Sequence, residues 1–133
     1  MKMIFPFWKG LGPDLFNLKI IRETLAACTT MDNPDLPEVV AETIAGLKDI
    51  APTNAREAML AAQLLATHTA VMDSLGLART TTGLLSEAHL GHAIRLSHAH
   101  AALSKAFDRT RRGDRRVVVL EYRRAERESR LKR

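Results

Sequence analysis

Between residues 54 and 112, apolar side chains recur at intervals of three and four, and the pattern breaks once, across Gly76–Gly83. That periodicity predicts two helices folded back on one another as a hairpin. The first of the pair starts at Asn54, with Glu57 three residues on as a capping box, and runs to about Leu75. Its Leu60, Leu64, Val71 and Leu75 share one stripe, flanked by Leu65 and Met72, while Ala58, Ala62, Ala66 and Ala70 line a second side. Small residues at every fourth position let a neighbouring helix approach closely. Only Arg56, Gln63, Thr67 and Ser74 form a wet strip, and a helix so apolar round its circumference calls for partners on several sides. The second helix of the pair spans about Leu84 to Arg112 and carries a narrower seam: Leu85, His89, His92, Leu96, Ala99, Leu103 and Phe107. Gly113 is expected to end it.

Upstream, Leu15, Leu18, Ile21, Leu25 and Cys28 mark a helix over Pro13–Met31, broken by residues 29–33. Pro34 and Pro37 open a short helix carrying Val40, Ile44, Leu47 and Ala51, which Pro52 closes. Residues 1–12 read as an irregular apolar lead-in. Downstream, the three valines of Arg115–Tyr122 predict a β-strand, followed by a charged tail. A lone strand must pair with another chain to satisfy its backbone. The expected fold is therefore mainly α: short N-terminal helices, a helical hairpin and one C-terminal strand. The divisions are a lead-in over 1–12, a helical domain over 13–112, and a strand with basic tail over 113–133. Self-association follows from the excess apolar surface, with Leu60, Leu64, Val71, Leu96, Leu103, Phe107, Val117 and Val119 as the expected contacts.

Charge changes this picture. The 133 residues carry a net +5, but residues 109–133 hold eleven Lys/Arg against four Asp/Glu, a local +7, and the remainder holds nine against eleven. A slightly acidic body thus bears a strongly basic end, where a polyanion would be met. Ten of those eleven cations are arginine, which suits bidentate phosphate contact. The expected nucleic-acid contacts are Arg109, Arg111, Arg112, Arg115, Arg116, Arg123, Arg124 and Arg127. Tyr122 is the one aromatic residue among them, so phosphate neutralisation rather than base stacking is the expected mode. The opposing expectation is a solvated tail whose arginines pair locally with Glu121, Glu126 and Glu128.

Catalytic chemistry finds no pattern. Cys28 stands alone on an apolar helical face, which excludes an internal disulfide and reads as a small filler in a reducing compartment. Gly10 and Gly12 supply no phosphate loop, and no Cys pair or HExxH motif occurs. Ser86, Ser97 and Ser104 lack a carboxylate–histidine partner in register. If Leu75 lies beside Leu85, His68 falls opposite His92 with His89 one turn away, and three imidazoles converge as a metal site or a pH-sensitive cluster. No carboxylate shares that seam, so neither metal nor cofactor is expected. The apolar segment Phe5–Trp8 is interrupted by Pro6 and precedes no small-residue cleavage site, and no long apolar run follows. A cytoplasmic protein without a membrane span is expected, with Phe5–Trp8 as a docking peptide for a protein partner.

Residues 55–72 (AREAMLAAQLLATHTAVM), 95–111 (RLSHAHAALSKAFDRTR) and the glycine and valines of 113–120 resemble a group of small bacterial helical proteins without an assigned activity. The resemblance covers residues 51–122 and implies a shared hairpin-plus-strand unit. Of the five histidines it implies a retained one at His68 alone. The order of short helices, long hairpin, strand and basic tail also looks like that of phage small terminase subunits, ring-forming proteins that bring DNA to the packaging motor. Together these readings predict a self-associating, non-enzymatic helical protein that binds nucleic acid non-specifically through its arginine-rich end. The alternative is a protein–protein adaptor.

Overall fold

Four helices account for nearly all of the chain described by the computed structural model, which covers residues 14–30 and 32–131. They are α1 (Asp14–Cys28), α2 (Leu36–Ile50), α3 (Ala55–Thr80) and α4 (Gly83–Leu131). The lead-in over 1–12, with Phe5–Trp8, lies outside the described residues.

The capping logic holds where side chains supply it. Asn54, in extended backbone, accepts the Glu57 N–H at 2.9 Å and so starts α3. Pro37 sits in the first turn of α2, where its missing N–H costs nothing. Ala51 ends α2 in the left-handed conformation, φ 50°, and donates its N–H to the Leu47 carbonyl.

The core gathers at one end of the hairpin. Ile20 and Ile21 of α1, Leu47 of α2, Ala58 and Ala61 of α3 and Phe107 of α4 form its buried centre. Phe16, Ile44, Leu60, Leu64 and Leu65 pack against it from the flanks. Ala58 and Ala61 are wholly buried, where small side chains permit close helix approach. Ala58 belongs to the expected small-residue stripe and Ala61 does not, while Ala62, Ala66 and Ala70 are half-buried. Gly46 does the same for α2: a Cβ there would stand 3.0 Å from the Leu65 side chain. Thr24 and Thr43 are also buried, and Thr24 returns its hydroxyl to the Ile20 carbonyl at 2.7 Å.

Two boundaries differ from the expected ones, and both lengthen helices. Residues 76–80 continue α3 through Gly76, because the connection needs only Thr81 and Thr82 before Gly83, at φ 64°, begins α4. Thr81 accordingly donates both its N–H and its hydroxyl to Leu77, and Ser86 reaches back to the Ala78 carbonyl at 2.8 Å. The shorter turn shifts the register, so that His68 faces His100 rather than His92, eight residues from the expected partner.

The second correction is the strand. Residues 115–122 lie within α4, which passes through Gly113 without a break, and no strand occurs among the described residues. β-propensity rewards packing against a neighbouring strand, and none is available in the described chain. Extending an existing helix avoids the nucleation cost, and each valine then forfeits only about 0.5 kcal/mol against alanine. The i,i+4 pairs Arg124–Glu128 (3.3 Å) and Glu126–Arg130 (3.4 Å) favour the helical form beyond it. Among the described residues no helix is long and apolar enough to cross a membrane.

Candidate nucleic-acid interface

α4 belongs to two environments. Up to Arg111 it packs on α3, and Phe107 is its last buried side chain among the described residues. From Arg112 to Leu131 every described side chain is exposed, so the final twenty residues stand clear of the bundle as an arm about 30 Å long. Arg112, Arg116, Arg123, Arg124, Arg127 and Arg130 are on that arm, and exposed Arg109 lies at its root. At about 100° per residue, Arg109, Arg112, Arg116, Arg123, Arg127 and Arg130 fall within one sector about a sixth of the circumference wide. This outer sector is opposite the α4 face that meets α3. The side chains of Arg115 and Val117 lie outside the described set, although the backbone at both positions is helical.

Arg111 is different from its neighbours. It turns inward, its Nη2 donating to the carbonyls of Ile50 at 2.6 Å and Ala51 at 2.7 Å. Its Nε lies 3.4 Å from the Glu57 carboxylate, which is 1% exposed, and its guanidinium stacks 4.4 Å over the Phe107 ring. Glu57 also accepts from the Thr53 N–H at 2.8 Å and from the Thr53 hydroxyl at 3.0 Å. The cation therefore closes the carbonyl end of α2 while the anion stabilises the start of α3, each matched to its helix dipole. The expected phosphate contact at Arg111 is spent inside the chain. The sequence signal was present in Glu57, whose capping role was legible; its second partner, 54 residues away, was not.

The expected self-association contacts are also redistributed. Phe107 is core, Leu60 and Leu64 pack against that core, and Val71, Leu96 and Leu103 are half-buried in the hairpin. Val119 is exposed on the arm. At the far end of the hairpin Met72, Leu77, Leu84, Leu85, Leu90 and Ile94 are exposed on more than one face, and Leu90 and Ile94 stand one turn apart on the same side of α4. The periodicity placed Leu85 in the seam because it assumed a turn centred several residues earlier.

The histidines do not converge as a triad. The His68 and His100 rings are 6.1 Å apart and tilted, and His100 shares a 3.0 Å contact with the Thr67 hydroxyl. His92 lies 3.1 Å from Arg95 at the surface. Among the described residues no group of three His, Cys, Asp or Glu is arranged to hold a metal ion. Cys28 is half-buried beside the Thr69 hydroxyl. A shallow groove between α1 and α3, beside Ile20, Thr24, Met59 and Gln63, brings together no acid–base pair or nucleophile. No protein-family model, curated protein or solved structure matches this chain.

Proposed function

We propose that this chain is a self-associating helical protein that binds nucleic acid without sequence preference, through the outer face of the α4 arm. The observation that carries the reading is the division of labour among the arginines. Arg111 anchors the arm to the bundle, while Arg109, Arg112, Arg116, Arg123, Arg124 and Arg127 remain exposed on a helix clear of the body. Cations spaced along about 30 Å of helix suit the regular charge of a phosphate backbone. The intrachain partners Glu126 and Glu128 do not compete strongly, since exposed ion pairs of this kind are worth about 0–1 kcal/mol. Among the described residues no side chain on the arm is set up for base readout, so affinity without specificity follows. A phage-derived DNA-handling role is the biological setting that fits such a protein.

Duplex DNA of random sequence tests the reading. Affinity should fall steeply between about 50 and 200 mM salt, and replacing Arg116, Arg123, Arg124 and Arg127 by alanine should flatten the log–log slope by several units. An unchanged slope in that variant would remove the arm as the interface.

Self-association draws support from the exposed apolar residues of the hairpin end and from the unsupported arm. The same apolar end favours a second reading as a protein–protein adaptor. Leu90→Glu with Ile94→Glu, one turn apart on the same face of α4, should then abolish partner capture and leave DNA affinity intact.

A further inference from the structure

The charges of the arm are used within the chain only in the exposed pairs Arg124–Glu128 and Glu126–Arg130 among the described residues, each worth about 0–1 kcal/mol and open to exchange of partners. Arg116, Arg123 and Arg130 recur every seven residues, and so do Glu121 and Glu128. At about 100° per residue the two lines fall on nearly opposite sides of α4. Each glutamate precedes an arginine of the other line by two residues, Glu121 before Arg123 and Glu128 before Arg130. The two lines are therefore level to within about 3 Å along the helix axis. A seven-residue beat drifts only about 20° per heptad on a straight helix, so both lines stay coherent over the length of the arm.

We propose that the arm docks a second copy of this chain, side by side and parallel, so that the Arg123–Arg130 line of one copy meets the Glu121–Glu128 line of the next. This rests on the self-association reading above and names its surface. Charge complementarity selects the geometry. A two-fold dimer of parallel arms would set each line against itself, arginine on arginine, whereas a heterologous contact sets arginine on glutamate. Because the two faces are nearly opposite, the contact repeats from copy to copy and builds a row rather than closing a pair.

The physical need for a partner is visible in the arm itself. Although it continues α4, the arm has no tertiary packing to hold its helical form, and the β-branched residues near its start lower its helix propensity. Val119 and Leu120 are 49% and 64% exposed, and they flank the arginine line where a neighbouring arm would cover them. In such a row the Arg116–Arg123–Arg130 line is taken up by the contact, and of the proposed nucleic-acid contacts Arg109, Arg124 and Arg127 stay free, between the two contact lines on one side. Each copy then adds cations to a continuous basic face, and a polyanion meets many at once.

The test uses full-length protein in two charge-reversed forms, Glu121→Arg with Glu128→Arg, and Arg123→Glu with Arg130→Glu. The first form presents arginine on both faces and the second presents glutamate on both. Sedimentation at about 50 mM salt should show wild-type protein as an assembly larger than a dimer, dissociating at about 500 mM salt as screening shortens the reach of charge. Each variant alone should sediment as a single chain, with helicity by circular dichroism confirming that it is folded. Mixed in equal amounts, the two should assemble again, because every arginine face then meets a glutamate face. Variants that keep the wild-type mass would overturn the arm contact and leave self-association to another surface. So would a mixture that fails to reassemble. A wild-type protein that stays a single chain at every concentration would overturn self-association itself.

Discussion

Arg111 is one of ten arginines between residues 109 and 133, and nothing in its immediate neighbours sets it apart. Its distinction is positional: it reaches the end of α2 at the point where Glu57 is sealed from water. Removing it should behave as the loss of a buried pair, tempered by the partial exposure of the guanidinium and the Thr53 hydrogen bonds that Glu57 keeps. Arg111→Ala is expected to cost about 2–4 kcal/mol in urea unfolding. Arg116→Ala and Arg127→Ala should change stability by less than about 0.5 kcal/mol. Equal costs at all three positions would contradict the division between anchor and contact arginines. Leu47, wholly buried between helices, should cost about 2–5 kcal/mol when cut to alanine, measured the same way.

At the scale of elements, the hairpin was legible because periodicity survives in an amphipathic helix whatever it packs against. Its seam was legible only in part: Leu96, Leu103 and Phe107 are buried or half-buried, whereas Leu85, His92 and Ala99 are exposed. The ends were not. Gly76 and Gly113 look like stops, yet both sit inside helices, where a Cβ would meet nothing within 4 Å. Glycine in an exposed helix weakens it without ending it, and here the chain pays that penalty twice. Gly113→Ala should therefore raise the helicity of the arm and its protection from hydrogen exchange, by about 1 kcal/mol of local stability. Loss of helicity would mean that residues 113–122 favour the extended form that their valines suggest. Gly46 is the opposite case. A Cβ there would stand 3.0 Å from the tip of Leu65, which must shift to admit it. Gly46→Ala should therefore gain less than the stabilisation of about 1 kcal/mol expected of Gly113→Ala when both are measured by urea unfolding.

The whole molecule joins a small core at one end of a hairpin to a long arm that leaves it. Most of the buried apolar groups lie between Ile20 and Phe107, and the charge lies beyond them. This separation lets the basic end act without disturbing the fold. Raising salt should accordingly weaken both DNA binding and arm-to-arm contact while hardly moving the unfolding midpoint, because the core is apolar and the Arg111–Glu57 pair is partly shielded from screening. A melting temperature that fell in parallel with DNA affinity would tie the arm to the stability of the body.

Local composition and spacing determined the helical class, the hairpin, the capping box at Asn54 and the concentration of positive charge at the C-terminus, because each depends on residues within a few positions of one another. Tertiary structure alone decided which arginine is buried, which histidines meet and whether three valines join a strand. Those outcomes depend on what lies across a helix interface: the Arg111–Glu57 contact spans 54 residues of chain, the two-residue turn resets every pairing in the hairpin, and a strand requires a neighbour that this fold does not supply.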